Sequence, residues 1–268
     1  MAEVVDEYNA SKILVLEGPL GVRKRPAMYI GSTGPSGVLH LMFEALDNAV
    51  DEAIAGYCKN IRVALASEVT GDIGEVCDDG RGIPVDIMPK YNKSALEVIM
   101  TSLHSGGKFN NDVYKTSGGL HGVGLTVLNS LSEFTEVWIK KNGKEYMQTF
   151  ARGVPTSELK QVGGTTERGT RIRFKPDPEI FLTPRFDAEL LKDRLRYTSF
   201  LNPGLKLMFD DTRVTPNEKT EFYSQKGLED FIAYLNSGVE PLSGVIHLKK
   251  TVENTIVDIA IQYNKGYD

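Results

Sequence analysis

The sequence predicts an α/β two-layer sandwich: a mixed, mainly antiparallel sheet packed on helices. The truncated start of a second α+β domain follows it. Three observations predict this. Segments of helical periodicity interleave with short alternating segments. Several alternating segments follow one another through turn residues, as hairpins do. A polar stretch, "DDTRVTPNEKTEF" (210–222), separates this body from a shorter tail. A boundary near residue 220 gives a first domain of 1–220 and a second of 221–268.

"SGVLHLMFEALDNAVDEAIAG" (36–56) is the first helix, opened by Ser36 and stopped at Gly56. "IRVALA" (61–66) and "GEVCDD" (74–79) are strands on either side of a turn. "SALEVIMTSLHS" (94–105) is helical, as is "GLTVLNSLS" (124–132) after a glycine-rich loop. "EVWIKK", "KEYMQTFA" and "GTRIRFKP" alternate as strands. "DAELLKDRLRYTSFL" (187–201) is a helix and "GLKLMFDD" a strand. Beyond the boundary, "KGLEDFIAYLNSG", "VIHLKK" and "IVDIAIQY" read as one helix and two strands. These are too few to close a core alone.

The 268 residues are 41% hydrophobic and 25% charged, as in an ordinary globular protein. A net charge of −5 argues against a free-standing nucleic-acid binder, which carries a basic excess. The two cysteines, Cys58 and Cys77, have no metal-type spacing and fit a reduced, intracellular setting. "MAEVVDEYNASK" lacks the apolar run of a signal peptide. No apolar stretch is long enough to span a membrane, so no membrane partner is expected.

Three motifs carry chemistry. On a wheel of about 100° per residue, His40, Glu44, Asn48 and Asp51 share one narrow face. Val38, Met42, Ala45, Ala49 and Ala53 lie opposite. Such a stripe is ordinarily a solvated helix face, but this one lacks lysine and arginine, and Asn48 is a poor mid-helix residue. A glutamate can take a proton from water, an asparagine oxygen can hold Mg²⁺, and a histidine one turn away can orient the carboxylate.

"CDDGRGIP" (77–84) ends a strand in two aspartates and a glycine turn. An Asp-Gly turn is the plain reading. The sharper one sets Asp78 in a pocket, where an acceptor-only carboxylate suits the amino group of adenine. Gly80 and Gly82 let the backbone approach a flat base. "SGGLHGVG" (117–124) leads into a helix, and exposed amides there suit phosphate. It is neither a Walker A loop nor a dinucleotide fingerprint. Lys108 and Lys115 can neutralise a phosphate tail, and Gly106, Gly107, Gly118 and Gly119 can hinge a lid.

In order, "FEALDNAVDEA", "DDGRGIP", "GGKF", "YKTSGGLHGVG" and "GTRIRF" resemble the ATPase region of type IIA topoisomerase subunits, the family of the DNA gyrase B subunit and its topoisomerase IV counterpart. "VRKRPAMYIG" (22–31) extends the resemblance outside the nucleotide motifs, over nearly the whole chain. The wider GHKL superfamily, of the Bergerat ATPase fold, includes a heat-shock chaperone, mismatch-repair ATPases and histidine kinases. It shares the asparagine helix and the D-x-G-x-G turn, but neither "VRKRPAMYIG" nor "YKTSGGLHGVG".

The resemblance implies that Glu44 is the general base for ATP hydrolysis, steadied by His40, and that Asn48 holds Mg²⁺. Asp51, Gly82, Ile83 and Pro84 would join the nucleotide site. Asp78 would receive the adenine amino group, helped by a water and Thr170. Gly119, Leu120, His121, Gly122, Val123, Gly124 and Leu125 would wrap the triphosphate, with Lys108, Tyr114 and Lys115 in the lid. Tyr8 and Ile13 match an arm that reaches a second protomer on dimerisation, Tyr8 touching the partner's nucleotide. Arg81, Pro84 and Lys141 match the rim where family inhibitors sit; some relatives carry Arg where Lys141 stands. Ala27 replaces a Gly of the pattern. ATP binding would close a homodimer gate around DNA in a cytoplasmic heterotetramer with the gyrase A subunit, driving negative supercoiling. A Gln-Thr-Lys loop of the family does not occur before Asp268, so a largely monomeric chain with weak ATPase activity is expected. The rival readings are a topoisomerase IV subunit, a chaperone-like or mismatch-repair ATPase, and a nucleotide-binding module without turnover.

Overall fold

The computed structural model describes residues 18–105, 122–253 and 255–266. The chain opens with two short helices, α1 (Gly18–Lys24) and α2 (Ala27–Ile30), and then the long α3 (Pro35–Ile54). Strands β1 (Asn60–Glu68) and β2 (Gly71–Asp78) follow, then the small pair β3 (Ile87–Met88) and β4 (Lys93–Ser94). Helices α4 (Ala95–Thr101) and α5 (Gly124–Ser130) precede β5 (Ser132–Lys141), β6 (Lys144–Ala151), β7 (Val154–Pro155), β8 (Lys160–Gly164) and β9 (Gly169–Pro176). Helix α6 (Ala188–Leu201), β10 (Lys206–Asp211) and β11 (Glu218–Tyr223) complete the main body. Helix α7 (Leu228–Leu235) and the hairpin β12 (Ile246–Val252) and β13 (Thr255–Ile261) form the tail.

Among the described residues nine strands form one sheet, ordered β11-β10-β1-β2-β9-β5-β6-β7, with β8 on β6. Only β1 and β10 run parallel in it; the other pairs are antiparallel. Cross-strand register builds an inward row: Phe209 beside Val63, Val63 opposite Val76, Val76 opposite Ile172, and Ile172 opposite Val137. All five are buried. Alternation then turns their neighbours outward.

Helix α3 covers this row. Val38, Leu41, Met42, Ala45, Leu46 and Ala49 are buried along it, at the 3.6-residue spacing read from the sequence. Phe174 and Phe186 meet edge to face with centroids 5.9 Å apart. Burying each such large side chain stabilises by about 1.5–3 kcal/mol, so this seam fixes how α3 sits on the sheet. The outer face of the sheet has no helix over it and carries a charge lattice. Glu75 takes both Arg62 and Arg171, the latter at 2.9 Å. Arg173 meets Glu136 at 2.8 Å, and the Arg171 guanidinium lies 4.1 Å from the centre of Trp138.

The polar stretch of 210–222 holds a strand. Residue 220, the expected boundary, falls inside β11, which pairs with β10 from Asp211↔Glu218 to Lys206↔Tyr223. The tail attaches through α7: Phe231 stacks on Phe200 at 5.2 Å and meets Tyr197 at 5.5 Å.

Candidate active site

Helix α3 begins at Pro35, which suits the first helical turn because its missing N–H needs no partner there. His40, Glu44 and Asn48 lie one turn apart on its half-exposed face. His40 Nε2 meets Glu44 Oε1 at 2.9 Å. That hydrogen bond is the main reason the imidazole holds its proton above the usual histidine range; burial works the other way. Asn48 is tolerated mid-helix because its Nδ2 donates to Glu44 O at 2.6 Å, which also orients the carboxamide. Asp51 departs from the expected stripe, being only 1% exposed.

Strand β2 delivers two adjacent aspartates to different tasks. Asp78 shares strand parity with Val76 and so faces the helical side. Its Oδ1 accepts from Gly80 N at 2.8 Å and Thr170 N at 3.3 Å. Burial outweighs these amides and pushes the carboxyl up to about 6. Asp79 is structural. It accepts from Lys59 N at 2.7 Å, Asn60 N at 3.0 Å and Asn60 Nδ2 at 2.7 Å. Burial alone would raise its carboxyl, but these bonds hold it below the usual range.

The turn after Asp78 is braced on both sides. The Glu52 carboxylate takes Arg81 through its backbone N (2.9 Å), Nε (3.0 Å) and Nη2 (2.7 Å). The Arg81 guanidinium lies 3.9 Å from the centre of the Tyr57 ring. Ile83 N donates to Thr170 Oγ1 at 3.3 Å, and Lys141 Nζ donates to Gly82 O at 3.1 Å. Thus Asp78, Arg81, Gly82, Ile83, Thr170 and Lys141 converge, with Pro84 exposed at the edge.

Two glycines set close approaches. A Cβ on Gly169 would lie 1.9 Å from Asp78 O, and one on Gly124 would lie 1.9 Å from Glu44 Oε2. The start of α5 therefore sits directly on the Glu44 carboxylate. Gly122, Val123 and Leu125 belong to the same entry into α5, and Ser105 N donates to Gly122 O at 3.1 Å. Tyr8, Ile13, Lys108, Tyr114, Lys115, Gly119, Leu120 and His121, like the hinge glycines Gly106, Gly107 and Gly118, lie outside the described residues. Sequence reasoning offers no signal for Glu52 or Asp47, which look like ordinary helix carboxylates. Gly169 was legible only as the residue opening a strand.

A helix bearing His, Glu and Asn, laid over a mixed sheet whose strand ends in a buried Asp, defines a class of ATPases. Residues 33–180 match the family described as histidine kinase-, DNA gyrase B- and HSP90-like ATPase, and the chain belongs to that family. ATP is accordingly the nucleotide of this site. Within the family the likeness is to the GyrB-type chain, the ATPase-bearing half of DNA gyrase. The chain is 49% identical to the DNA gyrase B protein of Thermotoga maritima over 98% of its own length, and 46% identical to that of Clostridium acetobutylicum over 100%. It spans 42% of the length of each of these relatives. The 43K ATPase domain of Thermus thermophilus gyrase B, solved with an aminocoumarin, superposes with a TM-score of 0.83 at 41% identity. That match covers 94% of this chain and 64% of the other. Among the described residues no helix is long and apolar enough to cross a membrane.

Proposed function

We propose that the chain is the ATP-hydrolysing region of a type II DNA topoisomerase of the gyrase B kind. The observation that carries this is the pairing of a buried Asp78, held by two backbone amides, with the His40–Glu44–Asn48 face. Asp78 accepts the adenine amino group through the oxygen its own backbone bonds leave over, and Thr170 and Ile83 hold the turn beneath the base. Gly82 and Pro84 flank it, while Arg81 and Lys141 form the rim that pocket inhibitors contact. Glu44 accepts the proton of the attacking water. His40 fixes one carboxylate oxygen, and the close approach of Gly124 limits where the other can point. Asp51, buried beside this face, supports it from within the helix.

Among the described residues no cluster of three or more His, Cys, Asp or Glu could hold a metal ion. A single Asn48 carboxamide suits Mg²⁺, which keeps several waters and takes its other ligands from phosphates; bound there, it neutralises charge on the phosphate oxygens. The segment with Lys108, Tyr114, Lys115, Gly119, Leu120 and His121 supplies the remaining phosphate contacts, together with Gly122, Val123, Gly124 and Leu125. Tyr8 and Ile13 belong to an arm that joins two protomers. The whole protein works in the cytoplasm with a gyrase A partner on DNA.

The test is Glu44→Ala in the full-length protein. Binding of a non-hydrolysable ATP analogue should persist, and hydrolysis should fall by about 10²–10⁴. Lost binding with retained turnover would show Glu44 to be structural. Supercoiling measured against decatenation, with the gyrase A partner added, separates the gyrase reading from topoisomerase IV.

A further inference from the structure

We infer that Arg194 is a positioning residue for the Glu44 base: from α6 it grips α3 on both sides of Glu44 and balances the charge of Asp47. The inference rests on Glu44 being the base. Arg194 Nη2 meets Asp47 Oδ1 at 3.0 Å. The same guanidinium lies 5.3 Å from the centre of the Phe43 ring. Phe43 and Asp47 are one turn apart and bracket Glu44 in the chain, so one cation spans the turn that carries the base. Asp47 stands three residues from Glu44, close enough for the two carboxylates to compete for protons.

Arg194 is itself anchored. Leu191 and Leu195 on either side of it are fully buried, and Thr198 Oγ1 donates to Arg194 O at 2.7 Å. Other charges near α3 are engaged elsewhere. Helix α5 carries no charged side chain. On β2, Asp72 is held by Arg185 and Arg213, Glu75 by Arg62 and Arg171, and Asp78 by the Gly80 and Thr170 amides. On β9, Arg173 meets Glu136 and Lys175 meets Glu68 and Glu133. On α6, Lys192 pairs with Glu189 and Glu218, and Arg196 with Asp193. Arg194 thus supplies the positive charge paired to the carboxylate next to the base. Through α6 it also ties the base to α7, since Phe231 of α7 packs on Tyr197 and Phe200.

The experiment is an NMR titration of the His40 imidazole in the ligand-free chain. Its protonation reads the charge at Glu44, its hydrogen-bond partner. Arg194→Gln leaves Asp47 uncompensated and should raise the His40 midpoint by about 0.3 pH units or more. Arg194→Lys keeps the charge and should restore the wild-type midpoint. In an Asp47→Asn background, Arg194→Gln should move nothing, because its partner is gone. Calorimetry with a non-hydrolysable ATP analogue should show unchanged affinity in every variant. A folded Arg194→Gln chain with an unmoved midpoint would overturn the inference. So would an equal shift persisting without Asp47, or a loss of nucleotide affinity, which would place Arg194 on the ligand. Retained hydrolysis in Glu44→Ala is a separate failure, since it removes the base and with it anything for Arg194 to position.

Discussion

At Asp78 two demands oppose each other. The pocket keeps water away, which lifts the carboxyl from 3.8 to about 6, while adenine needs the ionised form as an acceptor. The sign follows from proton counting. Between these two values the native chain holds a proton that the unfolded chain has lost, so stability falls as pH rises through that window. Above about 6 the cost is fully present. Asp78→Asn should therefore stabilise the ligand-free chain at pH 8 by about 1–3 kcal/mol, with the advantage shrinking from pH 6 to pH 4. Chemical denaturation across pH measures this. The same variant should lose adenine affinity by roughly 10- to 150-fold, since its amide can present a donor to a donor. Adenosine, with no phosphate to titrate, should bind the wild type progressively less well below about pH 6. Gly124 gives a second expectation. Gly124→Ala would drive a methyl into Glu44 Oε2, so the His40–Glu44 bond should break and the His40 midpoint should fall back toward 6.5.

Helix α3 shows how far periodicity carries at the scale of an element. The expected span of 36–56 stands against Pro35–Ile54 in the structure, because the apolar spacing and the glycine stop both lie in local sequence. Strands β6 and β9 match their expected bounds for the same reason. Helices α1 and α2 were not legible: Gly18, Pro19, Gly21 and Pro26 read as breakers, and only tertiary burial of Val22 and Ile30 reveals the packing. Strand β11 hides in a polar stretch because it is an edge strand whose one buried apolar side chain is Phe222. Within the site, His40, Glu44, Asn48 and Asp78 were legible as types at a spacing. The partners Glu52, Gly169 and Asp47 were not, because their roles depend on what lies across from them. Caps are testable at this scale. Asp187 Oδ1 accepts from Glu189 N at 3.0 Å and Leu190 N at 3.1 Å, so Asp187→Ala should cost about 1 kcal/mol of stability. Phe231→Ala should raise hydrogen exchange in α7 while leaving β1, β2 and β9 protected.

For the whole molecule, the two faces of the sheet divide the labour. The inner face takes the helices and the nucleotide; the outer face satisfies its own charges through Arg62, Glu75, Arg171 and Trp138. Isolated surface pairs contribute little, about 0–1 kcal/mol each, so the lattice matters more for keeping an open sheet face wet than for stability. The parallel pairing of β1 with β10 has a different consequence, and it concerns synthesis. Asn60 aligns with Lys206, so β1 leaves the ribosome long before its neighbour exists. In that interval β2 can pair with one edge of β1, while the other edge shows bare amides and carbonyls beside the apolar Ile61, Val63 and Leu65. An edge of that kind recruits foreign strands. The nucleotide pocket, built from β2, β9 and α3, can assemble before β10 arrives, so the nascent chain can acquire its ligand site while its sheet is still open to misassociation.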